Sequence, residues 1–214
     1  MKDMNVYQTN IKCPNCGTTI PFTMHTLIDT AKDPNAFQKL ISNTYFTYVC
    51  PKCKIVDYVT YSFMYHDGAN KLLIACADSD KDYIEMKKAL SGERKNNELD
   101  KVLSEWLSRC EVRLVRGVYE VQEKALISYA KLDDRVIELM KYQFKKELGK
   151  DADLLFNTEE GNFVILVYTE NGLEDKRTVS KEYIDEIQQK YKDVLENDQC
   201  IEINEYWAKQ IMEF

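Results

Sequence analysis

The first third of the chain alternates short apolar runs with turn residues, a pattern that predicts β-strands. These runs are rich in β-branched and aromatic residues and are bounded by turn formers, and they predict strands over residues 6–12, 18–25, 45–49, 55–65 and 71–77. Residues 66–70, His-Asp-Gly-Ala-Asn, have the composition of a hairpin turn. A helix over residues 34–42 is predicted between the second and third strands, with Asp33 as its N-cap and Pro34 in its first turn.

From residue 79 to residue 148 the apolar positions recur mainly at helix spacing. Ser79 and Asp133 are predicted N-caps, and Gly149 is predicted to end the last of these helices. Between these signals we expect, in chain order, a polar loop at 92–100, a short helix at 99–107, a strand at 112–115 and a helix starting near 119.

Beyond residue 150 the pattern changes to strands followed by helices. Strands are predicted at 153–157, 163–168 and 176–179, then a helix capped by Ser180 and a last helix starting near Asn204. The predicted fold class is therefore α+β: an antiparallel sheet, an inserted helix and packed helices. No linker rich in Pro, Gly or Ser divides the chain, and we expect a main domain of residues 1–148 and a small α+β extension of residues 149–214.

Composition and charge narrow the range of functions. The chain has 214 residues, of which 44% are hydrophobic, which is enough to bury a core. No apolar run approaches the length of about 18 residues that a membrane span needs, and residues 1–5 lack the apolar core of a signal peptide. We therefore expect a cytoplasmic protein without a membrane partner.

The net charge of −7 is unevenly distributed. Residues 1–70 contain six Lys and five Asp, a balance of +1, so the remainder carries −8. Because nucleic-acid binders usually present a basic face, this average charge makes nucleic acid an unlikely partner.

Two matched tetrads, Cys13-Pro14-Asn15-Cys16 and Cys50-Pro51-Lys52-Cys53, carry the strongest chemical signal. We call them the first hook and the second hook. Two Cys-x-x-Cys turns supply the four thiolates of a tetrahedral zinc site. Four protein ligands leave no open position for water or substrate, so the predicted Zn²⁺ is structural.

The remaining three cysteines are predicted to be buried free thiols, since an odd total of seven in a cytosolic chain argues against a disulfide framework; they are Cys76, Cys110 and Cys200. A redox dithiol is the alternative use of a hook, but it needs a helix N-terminus beneath the cysteines. Residues 17–21 after the first hook have instead the composition of a turn and a strand.

The spacing and the flanks of the hooks depart from the commonest zinc ribbon. The hooks are separated by 33 residues, compared with about 15–20 in the common four-cysteine pattern, and the predicted inserted helix accounts for the excess. Gly17 follows the first hook, whereas Lys54 follows the second. A zinc knuckle often needs positive φ at this position, so we expect the second turn to be the more strained.

Two further groups of residues allow alternative interpretations. Lys12, Lys52 and Lys54 flank the hooks and either compensate the charge of four thiolates or contact phosphate. His66-Asp67 either belongs to a hairpin turn or forms a catalytic or zinc-binding pair.

The two Cys-Pro-x-Cys hooks, the long insert, Tyr65-His66-Asp67 and the helix start at Leu132-Asp133-Asp134 together resemble the CpXC domain family of bacteria and archaea. The resemblance covers roughly residues 8–145. It implies zinc-type ligation by the four hook cysteines, Cys13, Cys16, Cys50 and Cys53, and it assigns no catalytic or cofactor-binding residue.

These patterns favour a zinc-binding protein whose zinc is structural and whose role is protein interaction or scaffolding. One alternative is a nucleic-acid-binding zinc-ribbon regulator, which requires the hook lysines and other basic residues to converge on one face. The other is an enzyme that uses His66-Asp67, which requires both side chains to point into a cleft.

Overall fold

A computed structural model describes residues 5–91, 98–149 and 151–213, with the backbone alone for residues 98–102. The chain forms two compact units, Met1–Gln122 and Glu123–Phe214. The expected division into residues 1–148 and 149–214 stays a prediction. In the structure, the helix that ends at Leu148 belongs to the second unit.

The first unit contains eight strands and three helices among its described residues. Its strands are β1 (Val6–Lys12), β2 (Thr19–His25), β3 (Leu27–Asp29), β4 (Thr47–Val49), β5 (Val56–Tyr58), β6 (Phe63–Asp67), β7 (Leu72–Cys76) and β8 (Glu111–Val115). Its helices are α1 (Ala36–Ile41), α2 (Asp80–Leu90) and α3 (Glu98–Leu107). The division between the units falls within the next helix, α4 (Val118–Tyr129).

These strands form two separate antiparallel hairpins and one mixed sheet. The hairpins are β1-β2 and β4-β5, and the four-stranded sheet has the order β3-β6-β7-β8. Its β6-β7 pair is antiparallel, whereas β3 runs parallel to β6 and β8 runs parallel to β7. The predicted α+β class is confirmed, and helix α1 lies between the two hairpins along the chain.

The predicted strand over residues 55–65 is wrong, because the structure divides it between two sheets. Strand β5 pairs with β4, and β6 pairs with β3 and β7. Between them Tyr61 turns inward and is buried. Its hydroxyl accepts a hydrogen bond from the His25 N–H and donates one to the Tyr45 carbonyl, which fixes the break in the strand.

The sequence predicted Asp33 as the N-cap of α1, and this prediction is wrong. The N-cap is Asn35, which makes no side-chain capping bond. The Asp33 carboxylate accepts hydrogen bonds from the Asn35 N–H, from the Lys39 ammonium at 2.7 Å and from the Tyr45 hydroxyl at 3.0 Å. These partners, led by Lys39, lower the pKa of Asp33.

An aromatic cluster forms part of the core of the first unit. Phe46 packs against Tyr61 and Phe63 at ring-centroid distances of 5.4 and 5.0 Å, and all three side chains are buried. Such pairs add about 0.5–1.5 kcal/mol each beyond the burial of their area. Most of this core therefore comes from residues 45–65, the segment that surrounds the second hook.

Two other predictions for the middle of the chain have different outcomes. Ser79 caps α2 as predicted, since its hydroxyl accepts a hydrogen bond from the Asp82 N–H. The predicted loop at 92–100 overlaps α3, which begins at Glu98, and residues 92–97 lie outside the described ranges. None of the helices in the described ranges combines the length and apolarity that a bilayer-spanning helix needs.

The second unit packs helices against an antiparallel sheet with the strand order β11-β10-β9. Its elements after α4 are α5 (Asp134–Leu148), β9 (Asp153–Glu159), β10 (Asn162–Thr169), β11 (Gly172–Val179), α6 (Lys181–Lys190), α7 (Lys192–Asn197) and α8 (Glu205–Glu213). Asp133 and Ser180 cap α5 and α6, and Gly149 ends α5 with a φ of +63°, as predicted. The predicted helix after Ser180 is divided at Tyr191 into α6 and α7.

A buried charge cluster links the helices of this unit to its sheet. The Lys141 ammonium lies 2.9 Å from both carboxylate oxygens of Glu123 and 2.6 Å from Glu138, and Glu123 also accepts the Phe156 N–H. Burial raises the pKa of Glu123, an effect that Lys141 partly offsets. Burial alone would lower the pKa of Lys141, but attraction to Glu123 and Glu138 outweighs it and raises that pKa.

We expect Lys141→Met to destabilise the second unit strongly, because it leaves two carboxylates buried without a cation. The expected loss in the free energy of unfolding is about 3–5 kcal/mol, measured by urea denaturation. Lys192→Met is the matched control, since Lys192 forms an exposed ion pair with Glu196 and should cost less than about 1 kcal/mol. Equal losses for the two variants would contradict this account of the cluster.

Candidate metal centre

The first hook is a tight turn at the end of the β1-β2 hairpin. The Cys13 carbonyl accepts a hydrogen bond from the Gly17 N–H, and the Cys13 N–H donates to the Thr18 carbonyl, both at 2.9 Å. Gly17 has a φ of +69°, the left-handed conformation that glycine adopts without steric cost. The turn therefore returns the chain directly into β2.

The second hook repeats this geometry between β4 and β5. The Cys50 carbonyl accepts from the Lys54 N–H at 3.0 Å, and the Cys50 N–H donates to the Ile55 carbonyl at 2.9 Å. Lys54 has a φ of +63°, so it adopts the conformation that Gly17 has in the first hook. The predicted strain lies at Lys54, because a side chain with Cβ in this region costs about 1–2 kcal/mol.

The two turns bring all four hook cysteines together. The sulfur of Cys13 lies 3.6 Å from that of Cys53, and the sulfur of Cys16 lies 3.6 Å from that of Cys50. All four sulfurs lie within 4.8 Å of one another. A tetrahedron with metal–sulfur bonds of about 2.3 Å has sulfur–sulfur edges of about 3.8 Å, so the observed separations fit a four-thiolate metal ion.

Hydrogen bonds around the cluster favour the thiolate form of the two more exposed cysteines. The Ile55 N–H, followed by the Asn15 side-chain amide, lowers the pKa of Cys53 to about 6. The hydroxyl of Thr18, 3.2 Å from the Cys16 sulfur, followed by its backbone N–H, lowers the pKa of Cys16. Since metals bind thiolate rather than thiol, these donors suit ligation.

The buried cysteines have a different environment. Cys13 and Cys50 are 2% and 0% exposed, and burial raises the pKa of Cys13 to about 11. The cluster thus combines two shielded sulfurs with two that are hydrogen-bonded at the surface. It could hold a metal ion, and a bound cation would deprotonate the coordinating thiols.

The sequence did not identify Asn15 and Thr18 as part of the site. Asn15 belongs to the first hook but donates to a sulfur of the second, so its role depends on the two hooks meeting. Thr18 lies two residues beyond Cys16, the position that Ile55 occupies after Cys53. The amide at this second position after each hook is a signal that could have identified Thr18.

The structure does not favour the redox alternative for the hooks. Each hook is followed by a strand, β2 or β5, and not by the N-terminus of a helix. The two sulfur–sulfur separations of 3.6 Å also join one hook to the other and not the two cysteines of one hook. This arrangement suits a shared metal ion better than a Cys-x-x-Cys disulfide.

The other three cysteines lie outside the cluster. Cys76 is buried, as predicted, and burial raises its pKa to about 12. The prediction of burial is wrong for Cys110 and Cys200, which are only partly buried. The Cys200 sulfur lies 3.7 Å from the Glu202 carbonyl and can donate to it.

His66 pairs with Asp29 and not with Asp67, so the hypothesis of a catalytic or zinc-binding pair formed by His66 and Asp67 is wrong. Both residues lie at the end of β6 and are buried, not in the predicted turn. The His66 Nδ1 lies 3.1 Å from the Asp29 carboxylate, and its ring stacks on Trp106 with centroids 4.2 Å apart. No local signal identifies this pair, because Asp29 meets His66 only through the parallel register of β3 and β6.

Asp67 has a separate set of partners. Its carboxylate accepts hydrogen bonds from the Thr30 hydroxyl at 3.3 Å and from the Asn70 side-chain amide at 2.7 Å and backbone N–H at 3.2 Å. The Asn70 bonds fix the turn between β6 and β7, while Thr30 follows β3 along the chain. Asp67 therefore holds the strand ends together, as Asp29 and His66 do.

Comparison with protein families gives one result. A family model described as "CpXC protein" matches residues 11–141, which is more than half of the chain and includes both hooks. Comparison with curated proteins and with solved structures gives no match.

The matched hooks allow a test of backbone strain. We expect Gly17→Ala to lower the free energy of unfolding by about 1 kcal/mol, because it forces a Cβ into the left-handed region. Lys54→Gly should not lower it, since relief of the same strain offsets the greater flexibility of the unfolded chain. Thermal unfolding of the zinc-supplemented protein measures both, and the account fails if Lys54→Gly is the more damaging change.

Proposed function

The chain belongs to the CpXC family, and from this premise we propose that it is a zinc-binding protein in which Zn²⁺ is structural and that it acts as a protein-interaction or scaffold module. The observation that supports the zinc is the convergence of four sulfurs, from two turns with the same hydrogen-bond pattern, within 4.8 Å. The ligands are Cys13, Cys16, Cys50 and Cys53.

A structural role follows from the completeness of the ligand set. Four thiolates satisfy tetrahedral Zn²⁺ and leave no position for a substrate or an activated water. When bound, Zn²⁺ would supply a cross-link between hairpins β1-β2 and β4-β5, each of which has only two strands. A two-stranded hairpin is at best marginally stable alone, so the cross-link would add what the backbone bonds lack.

Charge supports a protein partner over nucleic acid. The chain as a whole carries −7, which repels a polyanion at long range. Lys12, Lys52 and Lys54 are exposed at the hooks, a number too small for the extended phosphate contacts of a nucleic-acid binder. They suit the compensation of a four-thiolate site, which carries a formal charge of −2 when it holds Zn²⁺.

We also propose that the protein is located in the cytoplasm of a bacterial cell. The seven cysteines form no disulfide, and free thiols persist in a reducing compartment. Four of them are also the ligands of the proposed site, whose affinity for metal requires reduced sulfur.

Metal content and thermal unfolding test the proposed zinc. We expect about one Zn²⁺ per chain by elemental mass spectrometry, and a lower melting temperature after treatment with a strong chelator, because metal binding is coupled to folding. Restored zinc should restore the melting temperature. A protein without stoichiometric metal that does not respond to the chelator or to added zinc would contradict the proposal.

A pair of Cys→Ser variants separates ligation from general loss of a thiol. Cys53→Ser should abolish stoichiometric zinc, because a hydroxyl is a poor replacement for thiolate. Cys200→Ser is the matched control, since Cys200 is partly buried, lies outside the cluster and can keep its hydrogen bond to Glu202 as serine. Equal zinc content in the two variants would exclude Cys53 as a ligand.

A further inference from the structure

The β4-β5 hairpin has one face directed to the core and one directed to solvent. Tyr48 is buried, and its hydroxyl donates to the Asp57 carboxylate directly opposite. Val49 and Val56 also lie directly opposite each other, one residue further along. Because alternate residues of a strand point to opposite sides, these valines lie on the other face.

The outer face is apolar. Val49, Val56 and Tyr58 are 57%, 59% and 60% exposed. Scattered exposed apolar residues are normal on protein surfaces, but here three of them lie on one face of one hairpin and two form a cross-strand pair. We call residues Val49, Val56 and Tyr58 the hairpin patch. Contiguous exposed patches of this kind mark interaction sites.

The edge of the hairpin patch is basic. Lys52 and Lys54 lie in the second hook, which joins the two strands of the hairpin, and both are exposed. Neither Lys52 nor Lys54 forms an ion pair with another described residue. Asp57, the hairpin's acidic residue, is engaged on the inner face by Tyr48. Lys52 and Lys54 therefore give this edge of the patch two exposed ammonium groups, in addition to offsetting the charge of the thiolates beside them.

We propose that the hairpin patch is a docking surface for an extended peptide segment of a partner protein, with apolar side chains flanked by Asp or Glu. The apolar side chains cover Val49, Val56 and Tyr58, and the carboxylates pair with Lys52 and Lys54. This inference rests on the proposed function, since the zinc-linked hook is the element that would hold the hairpin rigid. A rigid surface binds at lower entropic cost.

Charge also decides against two other occupants. A second copy of the chain bound symmetrically through this patch would present the same residues, and the patch and its edge contain no free carboxylate for Lys52 and Lys54, since Asp57 lies on the inner face with Tyr48. A single-stranded nucleic acid would find aromatic and basic groups here, but the net charge of the whole chain opposes its approach. A short apolar peptide with a few carboxylates carries far fewer negative charges than a nucleic acid, so the net charge of the chain opposes its approach less.

Selection from a peptide library tests the surface without a known partner. Phage-displayed random peptides of about twelve residues are selected on the full-length, zinc-loaded chain and depleted on Val49→Thr/Val56→Thr. Threonine keeps the β-branched shape while adding a hydroxyl. We expect enriched peptides that combine apolar residues with Asp or Glu, and about tenfold weaker binding to the threonine variant by fluorescence anisotropy.

Further variants test the contribution of the lysines and the location of the binding surface. Lys52→Gln/Lys54→Asn should weaken binding several-fold and reduce its dependence on salt, and asparagine tolerates the left-handed φ at position 54. Ile84→Gln is the matched control, because Ile84 is exposed on α2 in the same unit and its replacement should leave binding unchanged.

Three results with peptides would overturn the docking surface: the absence of enriched peptides, a consensus rich in Lys or Arg, and binding that the threonine variant retains. Two results with other occupants would also overturn it. One is the formation of concentration-dependent dimers that the threonine variant abolishes, and the other is lysine-dependent binding of a single-stranded oligonucleotide. Zinc content is measured on every variant. Normal zinc without peptide binding refutes the surface alone, whereas absent zinc in the wild-type chain refutes the proposed function.

Discussion

The meeting of two hooks that lie far apart in the sequence is the constraint on which the first unit depends. Thirty-three residues separate the hooks, and within that interval the chain forms β2, β3, α1 and β4 before it returns to the first hook. The sulfurs of Cys13 and Cys53 approach to 3.6 Å only if all of these elements are correctly placed. The cluster therefore reports on the fold of this part of the chain, and a metal ion bound there would also restrain it.

The environment of the four sulfurs differs from one to the next in a way that suits such a restraint. Two cysteines are buried and two are hydrogen-bonded near the surface. The Asn15 side chain of the first hook donates a hydrogen bond to the Cys53 sulfur of the second hook. The two hooks therefore contact each other directly. Four sulfurs that lie within 4.8 Å of one another suit a shared metal ion, and the β4-β5 hairpin beside them exposes Val49, Val56 and Tyr58.

Local signals in the sequence predicted much of the secondary structure. The caps at Ser79, Asp133 and Ser180 and the glycine end at Gly149 were predicted correctly, because each depends on a hydrogen bond or a φ angle within a few residues. The prediction of Asp33 as the N-cap of α1 was wrong, because Lys39 and Tyr45 compete for its carboxylate. The single strand expected over residues 55–65 was wrong because Tyr61 turns into the aromatic core, a packing effect with no local signature.

The sequence by itself determined the α+β class, the two Cys-Pro-x-Cys hooks and the position after each hook that takes positive φ, because hydrophobic periodicity and tight turns are properties of short segments. Only the tertiary structure decided that the hooks join two separate hairpins, that β3 and β8 make the main sheet mixed, and that His66 pairs with Asp29 and not with its neighbour. The same structure left Val49 and Val56 side by side on the surface. These features depend on register between distant segments, which the packed core fixes and the order of residues along the chain does not.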